Sequence, residues 1–326
     1  MRDWQSQILQ VSVENFNALA LEVFAYQYEH CEVYRQYLNH LSFDRSKVVD
    51  FKQIPYLPIA FFKQQKVTTT DYTPEAVFES SSTTGIGVSK HYVKSLQWYQ
   101  KVFTHCFEAQ FGPHQNYAHL ALLPNYLERS NSSLVYQVNH FIQNSLDLGS
   151  QFYLYDLDAL IQRLNYNQTQ AIPTILWGVS FALLDFAETK PMNIHPCEVI
   201  ETGGMKGQRK EITRLELHQI LQTGFKTNRI STEYGMTELM SQAYAQSDGR
   251  LVCPPWMKIV IREINDPFTC LGYHQHGAIN IIDLANIDSC AFIETSDLGK
   301  SYPDNSFEVL GRMDYSDTRG CSLMFS

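Results

Sequence analysis

The run Ser80-Ser81-Ser82-Thr83-Thr84-Gly85-Ile86-Gly87 is the strongest chemical signal in the chain. Consecutive Ser and Thr hydroxyls donate from side chains, and glycines let backbone N–H groups turn inward. The result is a concave nest suited to phosphate oxygens. No Gly-Lys-Ser/Thr closes the run as in a Walker loop, and the third glycine of a dinucleotide fingerprint is missing. Lys90 stands behind it as a candidate counter-charge. A surface Ser/Thr loop has the same composition, so the run alone does not decide the matter.

Three more stretches carry chemistry. Glu201-Thr202-Gly203-Gly204-Met205-Lys206-Gly207 follows an apolar strand. Its glycines are therefore expected at the carboxyl edge of a sheet, where ligands of α/β folds gather. Lys206 between glycines is a mobile cation for a phosphate or carboxylate. Ser231-Thr232-Glu233-Tyr234-Gly235-Met236-Thr237-Glu238 offers a flat aromatic face at Tyr234 for a base. It also offers a carboxylate at Glu238 of the kind that holds Mg²⁺ together with substrate phosphates. Thr295-Ser296-Asp297-Leu298-Gly299, followed by Gly311-Arg312-Met313-Asp314, pairs an Asp that can accept both hydroxyls of a ribose with an Arg that can reach the same sugar. Taken singly, each stretch also reads as a polar turn.

The elements that must position them follow from periodicity. Phe16, Leu19, Val23, Phe24 and Leu38 recur near a 3.6 period, predicting a helix from Val13 to about Leu41. The two prolines in Ile54–Lys63 predict an extended connector. A helix is expected over Leu96–Phe111, with short buried strands at Leu120–Leu123, Thr174–Trp177 and Val199–Ile200 and helices at Phe181–Glu188 and Glu211–Leu221. That alternation predicts an α/β fold with a largely parallel sheet. Beyond residue 250, strand-like runs at Lys258–Glu263, Ala278–Ile282 and Phe307–Leu310 predict a smaller β-rich portion. The expected division is 1–250 and 251–326.

Composition narrows the function. The 326 residues are 44% hydrophobic and 18% charged, the balance of a folded globule with a substantial core. Against 34 acidic side chains stand 25 basic ones, which argues against a nucleic-acid partner. The N-terminus has no apolar signal region, and the Ile172–Ala187 stretch is broken by Pro173 and Asp185, so no membrane span is expected. Seven scattered cysteines read as reduced thiols of a cytoplasmic protein. Cys270, His274, His276 and Cys290 match no familiar zinc spacing, and Gly178-Val179-Ser180 lacks the closing glycine of a hydrolase elbow.

In this order along the chain, the motifs resemble those of the adenylate-forming superfamily, and more narrowly its acyl-protein synthetase (LuxE-like) and phenylacetate–CoA ligase branch. Ser80–Gly85 is similar to the phosphate loop, Tyr234–Glu238 to the Tyr-Gly-x-Thr-Glu motif, Asp297 to the ribose-binding Asp and Gly311-Arg312-x-Asp314 to the hinge. Leu57-Pro58-Ile59 with Phe62-Lys63, Leu123–Arg129 and Thr202–Gly207 resemble the acyl-protein synthetase group. The resemblance implies ATP and Mg²⁺ as cofactors and a carboxylic, fatty-type acid as substrate, activated as acyl-AMP and passed to a thiol. In that scheme Ser80, Ser81, Thr83, Thr84 and Gly85 serve the phosphates, with Thr84 catalytic. Gly203, Gly204, Tyr234, Gly235, Thr237, Asp297 and Arg312 serve the nucleotide, and Glu238 the metal.

The chain departs from the pattern in three places. Ser82 stands at a usual glycine, the Pro-Lys after the second loop glycine is absent, and the mobile C-terminal domain of many relatives is not expected because the sequence ends soon after Arg312. Lys206 is the candidate to replace that domain's lysine. Cys321, beside Arg319 and Gly320, is the candidate acyl carrier, as the resemblance implies, although a small buried tail residue fits as well. The acceptor thiol is left open among Cys321, a carrier protein and CoA, with an acyl reductase as a further partner. An apolar acyl groove is expected from Trp177–Leu184. The rival expectation is a non-catalytic nucleotide-binding or complex-forming subunit.

Overall fold

The computed structural model describes residues 2–80, 87–123, 131–154, 156–204, 209–210, 212–246 and 249–313. Helices α1 (Trp4–Leu9), α2 (Phe16–His30) and α3 (Glu32–His40) open the chain. The single helix expected over Val13–Leu41 is two, because Cys31 is extended (φ −95°, ψ 100°). A straight helix of that span would run about 43 Å. The break instead lets Phe16, Val23 and Phe24 on α2 and Tyr34 and Leu38 on α3 reach one core. Buried Gln27 ties α2 to a distant loop, donating to the Asn286 carbonyl at 3.0 Å and accepting from the Ala291 N–H at 2.9 Å.

The connector after α3 contributes β1 (Leu57–Pro58), with Leu57 opposite Ile293 in parallel, and then the short α4 (Phe61–Gln64). Strands β2 (Ala76–Glu79) and β3 (Lys90–Val93) form a separate antiparallel pair. Neither was expected: four-residue strands leave little periodicity to read. Helix α5 (Leu96–Phe111) falls where expected, with the Ser95 side chain capping its first turn and Gly112 (φ 82°) ending it.

Then strands and helices alternate: β4 (Ala118–Leu122), α6 (Ser133–Asn144), β5 (Gln151–Phe152), α7 (Leu157–Thr169), β6 (Thr174–Val179), α8 (Ser180–Thr189), β7 (Glu198–Thr202), α9 (Arg214–Phe225) and β8 (Ile230–Tyr234). The strands pair in parallel in the order β5-β4-β6-β7-β8. Every residue of β4, β6, β7 and β8 is buried, as a parallel sheet covered on both faces requires. The remaining strands are β9 (Ala243–Ala245), β10 (Leu251–Val252), β11 (Met257–Arg262), β12 (Gly277–Asp283), β13 (Phe292–Ser301) and β14 (Ser306–Arg312). They continue the same sheet antiparallel, in the order β8-β9-β10-β14-β13-β12-β11. The α/β architecture with a parallel-rich sheet and a β-rich end is thus the one expected, joined here by one hydrogen-bonded path.

Two expectations change. Thr295–Gly299 is not a turn but the middle of β13, whose polar residues hid it from a hydrophobic reading. Trp177–Leu184 is not an open groove. Trp177, Val179 and Leu183 are fully buried, and Leu183 fills the space beside Gly178.

Helices α8 and α9 pack through a glycine: a Cβ on Gly224 would lie 2.6 Å from the Ala187 carbonyl oxygen. Gly224→Ala should therefore destabilise the fold by about 2 kcal/mol in urea unfolding. An unchanged midpoint would contradict this packing.

Candidate functional site

The hydroxyl-rich run joins β2 to β3, and its base is closed by paired serines. The Ser80 N–H donates to the Ser89 carbonyl, and the Ser89 N–H donates to the Ser80 hydroxyl oxygen, both at 3.0 Å. Ser80 is thereby a structural stem of the loop. Lys90, the expected counter-charge, is paired instead with Glu79, directly opposite on β2, at 3.2 Å. Ser81, Thr83, Thr84 and Gly85 lie outside the described residues, as do Lys206 and Cys321.

Tyr234 is the last residue of β8, and Gly235–Glu238 turn away from the sheet edge. Several side chains hold that turn. One ring nitrogen of His91, on β3, meets the Thr237 carbonyl at 2.9 Å, and the other meets the Asn286 side-chain oxygen at 3.0 Å. The Asn286 amide donates to the Glu238 carbonyl at 2.8 Å. Just beyond, Asp283 accepts from the N–H groups of Met240 and Ser241 at 2.9 and 3.0 Å and from the Ser241 hydroxyl at 2.7 Å. These contacts fix where the Glu238 carboxylate sits. It is buried, and burial raises its pKa, opposed first by a hydrogen bond from Ser89 and then by a backbone N–H and the Arg312 charge.

Asp297 and Arg312 lie opposite each other on β13 and β14. The Tyr234 hydroxyl donates to one Asp297 carboxylate oxygen at 2.8 Å, and the Arg312 guanidinium is 3.7 Å from the other. Burial raises the Asp297 pKa, while the Tyr234 hydrogen bond and the Arg312 charge lower it. The Tyr234 ring is nearly buried, with Phe307 edge-on at 5.5 Å. Gly203 and Gly204 follow β7 with φ of +85° and +67°, a left-handed pair suited to glycine. They leave the sheet beside Tyr234, since Thr202 is opposite Glu233.

The expected residues that the structure describes are thus gathered at one edge. Ser80 is tied to Ser89, Tyr234 and Arg312 both face Asp297, and Gly203–Gly204 leave the sheet beside Tyr234. Sequence reasoning missed Ser89, His91, Asn286 and Asp283 as site residues. A lone His or Asn carries no spacing signal, although His91's position just after the hydroxyl-rich run was a usable hint. Beneath the edge, Glu233 accepts from Gln137 and Tyr244 at 2.8 Å, and burial pushes it up to about 7.

Among the described residues no group of three or more His, Cys, Asp or Glu could hold a metal. A single carboxylate such as Glu238 still fits Mg²⁺, which takes one or two carboxylates alongside substrate phosphates. The described cysteines are all free thiols, and no described helix is long and apolar enough to cross a membrane.

Several solved structures share this fold. ATP-bound MatB from Rhodopseudomonas palustris is 14% identical, with a TM-score of 0.54, 75% of this chain covered and 50% of the other. An open conformation of 2-hydroxyisobutyryl-CoA ligase in complex with 2-HIB-AMP and CoA is 13% identical, with a TM-score of 0.67 and coverages of 93% and 70%. O-succinylbenzoate coenzyme A synthetase (MenE) from Bacillus subtilis, in complex with AMP, is 17% identical, with a TM-score of 0.52 and coverages of 78% and 51%. The chain spans about half the length of MatB and of MenE.

Residues 6–97 match the family described as acyl-protein synthetase, LuxE, a segment that ends just beyond the hydroxyl-rich run. The resemblance drawn from the motifs agrees with the shared fold and, over residues 6–97, with the family match. Curated proteins give no significant sequence match.

Burial pushes the His91 imidazole down to about 4. Because the unfolded chain protonates this group near 6.5, stability is lost as pH falls from about 6.5 toward 4. By pH 4.5 His91 alone should have removed about 2 kcal/mol. Urea unfolding at pH 6.5 and 4.5 should show a smaller pH-dependent loss for His91→Gln than for wild type; equal losses would contradict a buried neutral imidazole.

Proposed function

We propose that the chain activates a carboxylic acid with ATP. A carboxylate oxygen attacks the α-phosphorus, a P–O bond forms, the bond to the β-phosphate breaks and pyrophosphate leaves. A thiol sulfur then attacks the acyl carbon of the acyl-AMP, giving a thioester and AMP. The observation that carries this reading is the convergence of Tyr234, Glu238, Asp297 and Arg312 at the sheet edge beside Ser89 and Gly203. ATP-bound, AMP-bound and acyl-AMP-bound structures with the same fold support it.

In this scheme the adenine lies against Tyr234, and its ribose hydroxyls are accepted by Asp297, with Arg312 alongside. Hydroxyls and N–H groups of Ser81, Thr83, Thr84 and Gly85 surround the phosphates, with Gly203, Gly204, Gly235 and Thr237 lining the approach. Glu238 would hold Mg²⁺, which supplies neutralisation of phosphate charge when bound. Preorganised donors of this kind stabilise charge that grows during the attack. Lys206 takes the place of a cation at the acyl-phosphate oxygens. The acid class that the motif resemblance implies is a fatty acid, with Cys321 as the first acceptor and CoA or a carrier protein as alternatives.

Acid-dependent exchange between ATP and labelled pyrophosphate tests the first step over a panel of acids. Exchange is expected with one acid class. Glu238→Gln should reduce it about 100-fold, the scale of losing one charge-stabilising group, and Lys206→Ala should abolish it. Retained ATP binding with a flat panel would favour a non-catalytic nucleotide-binding subunit. A labelled acid plus ATP should leave a thioester on wild type but not on Cys321→Ser, and label on that variant would move the acceptor elsewhere.

A further inference from the structure

Among the described residues, the Asp297 carboxylate is held by a single short hydrogen bond, and that bond comes from Tyr234. The phenol donates to one oxygen at 2.8 Å, whereas Arg312 is 3.7 Å from the other, too far for a hydrogen bond. Arg312 is also largely exposed, its side chain retaining 71% of its accessible surface, so it is a poor guide for the carboxylate plane. Tyr234 is the opposite: it ends a fully buried strand, and its ring is braced edge-on by Phe307. The backbone beneath Asp297 is fixed as well, because its N–H donates to the Thr295 hydroxyl oxygen, and that hydroxyl donates to the Ile279 carbonyl.

An ionised carboxylate has about four acceptor positions. Among the described residues only the tyrosine uses one, which leaves at least one on each oxygen for a ligand. We infer that the Tyr234 hydroxyl is a specificity-determining positioning group, turning the Asp297 carboxylate so that its two oxygens accept from a vicinal diol. The inference rests on the nucleotide reading above and deepens it. Ribose recognition depends on the tyrosine's hydroxyl as well as on the aspartate, a role separate from that of the aromatic ring. A bond that merely tied β8 to β13 would affect all nucleotides alike.

The test is calorimetric binding of ATP and 2′,3′-dideoxy-ATP, each with Mg²⁺, to the full chain. Wild type should prefer ATP about tenfold or more, the scale of a hydrogen bond to a charged group. Asp297→Asn should erase that preference. Tyr234→Phe should cut it to about threefold by weakening ATP alone, with the dideoxy affinity kept within about twofold of wild type. A Tyr234→Phe protein with the full preference, or with both affinities lowered equally, would overturn the positioning role and leave the nucleotide reading intact. An Asp297→Asn protein with the full preference, or a wild type that binds no ATP, would overturn both. Should Tyr234→Phe fail to fold, 3,5-difluorotyrosine at position 234 keeps the shape and strengthens the donor. It should hold or increase the preference, and a decrease would overturn the role.

Discussion

Carboxylates taken out of water need donors, and around Tyr234–Ser241 three of them are buried close together, with Asp297 partly buried beside them. Glu233 is met by Gln137 and Tyr244, Glu238 by Ser89, Asp283 by the Met240 and Ser241 N–H groups and the Ser241 hydroxyl, and Asp297 by Tyr234. Leaving any of them unpaired would cost several kcal/mol, on the order of a whole domain's margin of stability. Because the donors come from the residue before β3, from α6, β8 and β9 and from the loop after Glu238, satisfying the carboxylates draws distant parts of the chain to one sheet edge. The same arrangement leaves acceptors fixed in place before any substrate arrives, which is the condition for preorganised electrostatic stabilisation.

The sheet explains why this edge exists. Strand β8 pairs in parallel with β7 on one side and antiparallel with β9 on the other. Parallel strands send their carboxyl ends to the same side, so Gly203 and Gly235 leave the sheet as neighbours. The antiparallel half then brings β13 back toward that edge, where Asp297 meets the tyrosine. The change from parallel to antiparallel pairing thus places the Tyr234 ring and the Asp297 carboxylate within one hydrogen bond of each other.

Much of this was legible in the sequence. The parallel strands were readable because they are buried on both faces and so appear as short apolar runs. Helix α5 was readable because an N-capping serine and a C-terminal glycine bracket it. The chain order of the motifs pointed to the right class of fold. Other features left no local trace. Cys31 breaks a helix for the sake of core packing, and β13 carries the polar run Thr295, Ser296 and Asp297 in its middle. Long-range contacts were invisible too: His91 and Asn286 touch the motif across 146 and 48 residues of sequence, and no spacing rule links them. The groove expected at Trp177–Leu184 failed for a related reason, since an apolar run reads the same whether it lines a pocket or fills a core.

The central claim is that these stretches serve one nucleotide, and photolabelling of the full chain with 8-azido-ATP, followed by peptide mapping, tests it most directly. The account predicts label on the peptide containing Tyr234–Glu238 or on those bearing Asp297 and Arg312, with unlabelled ATP competing it away. Label confined to other regions, or insensitive to ATP, would contradict it.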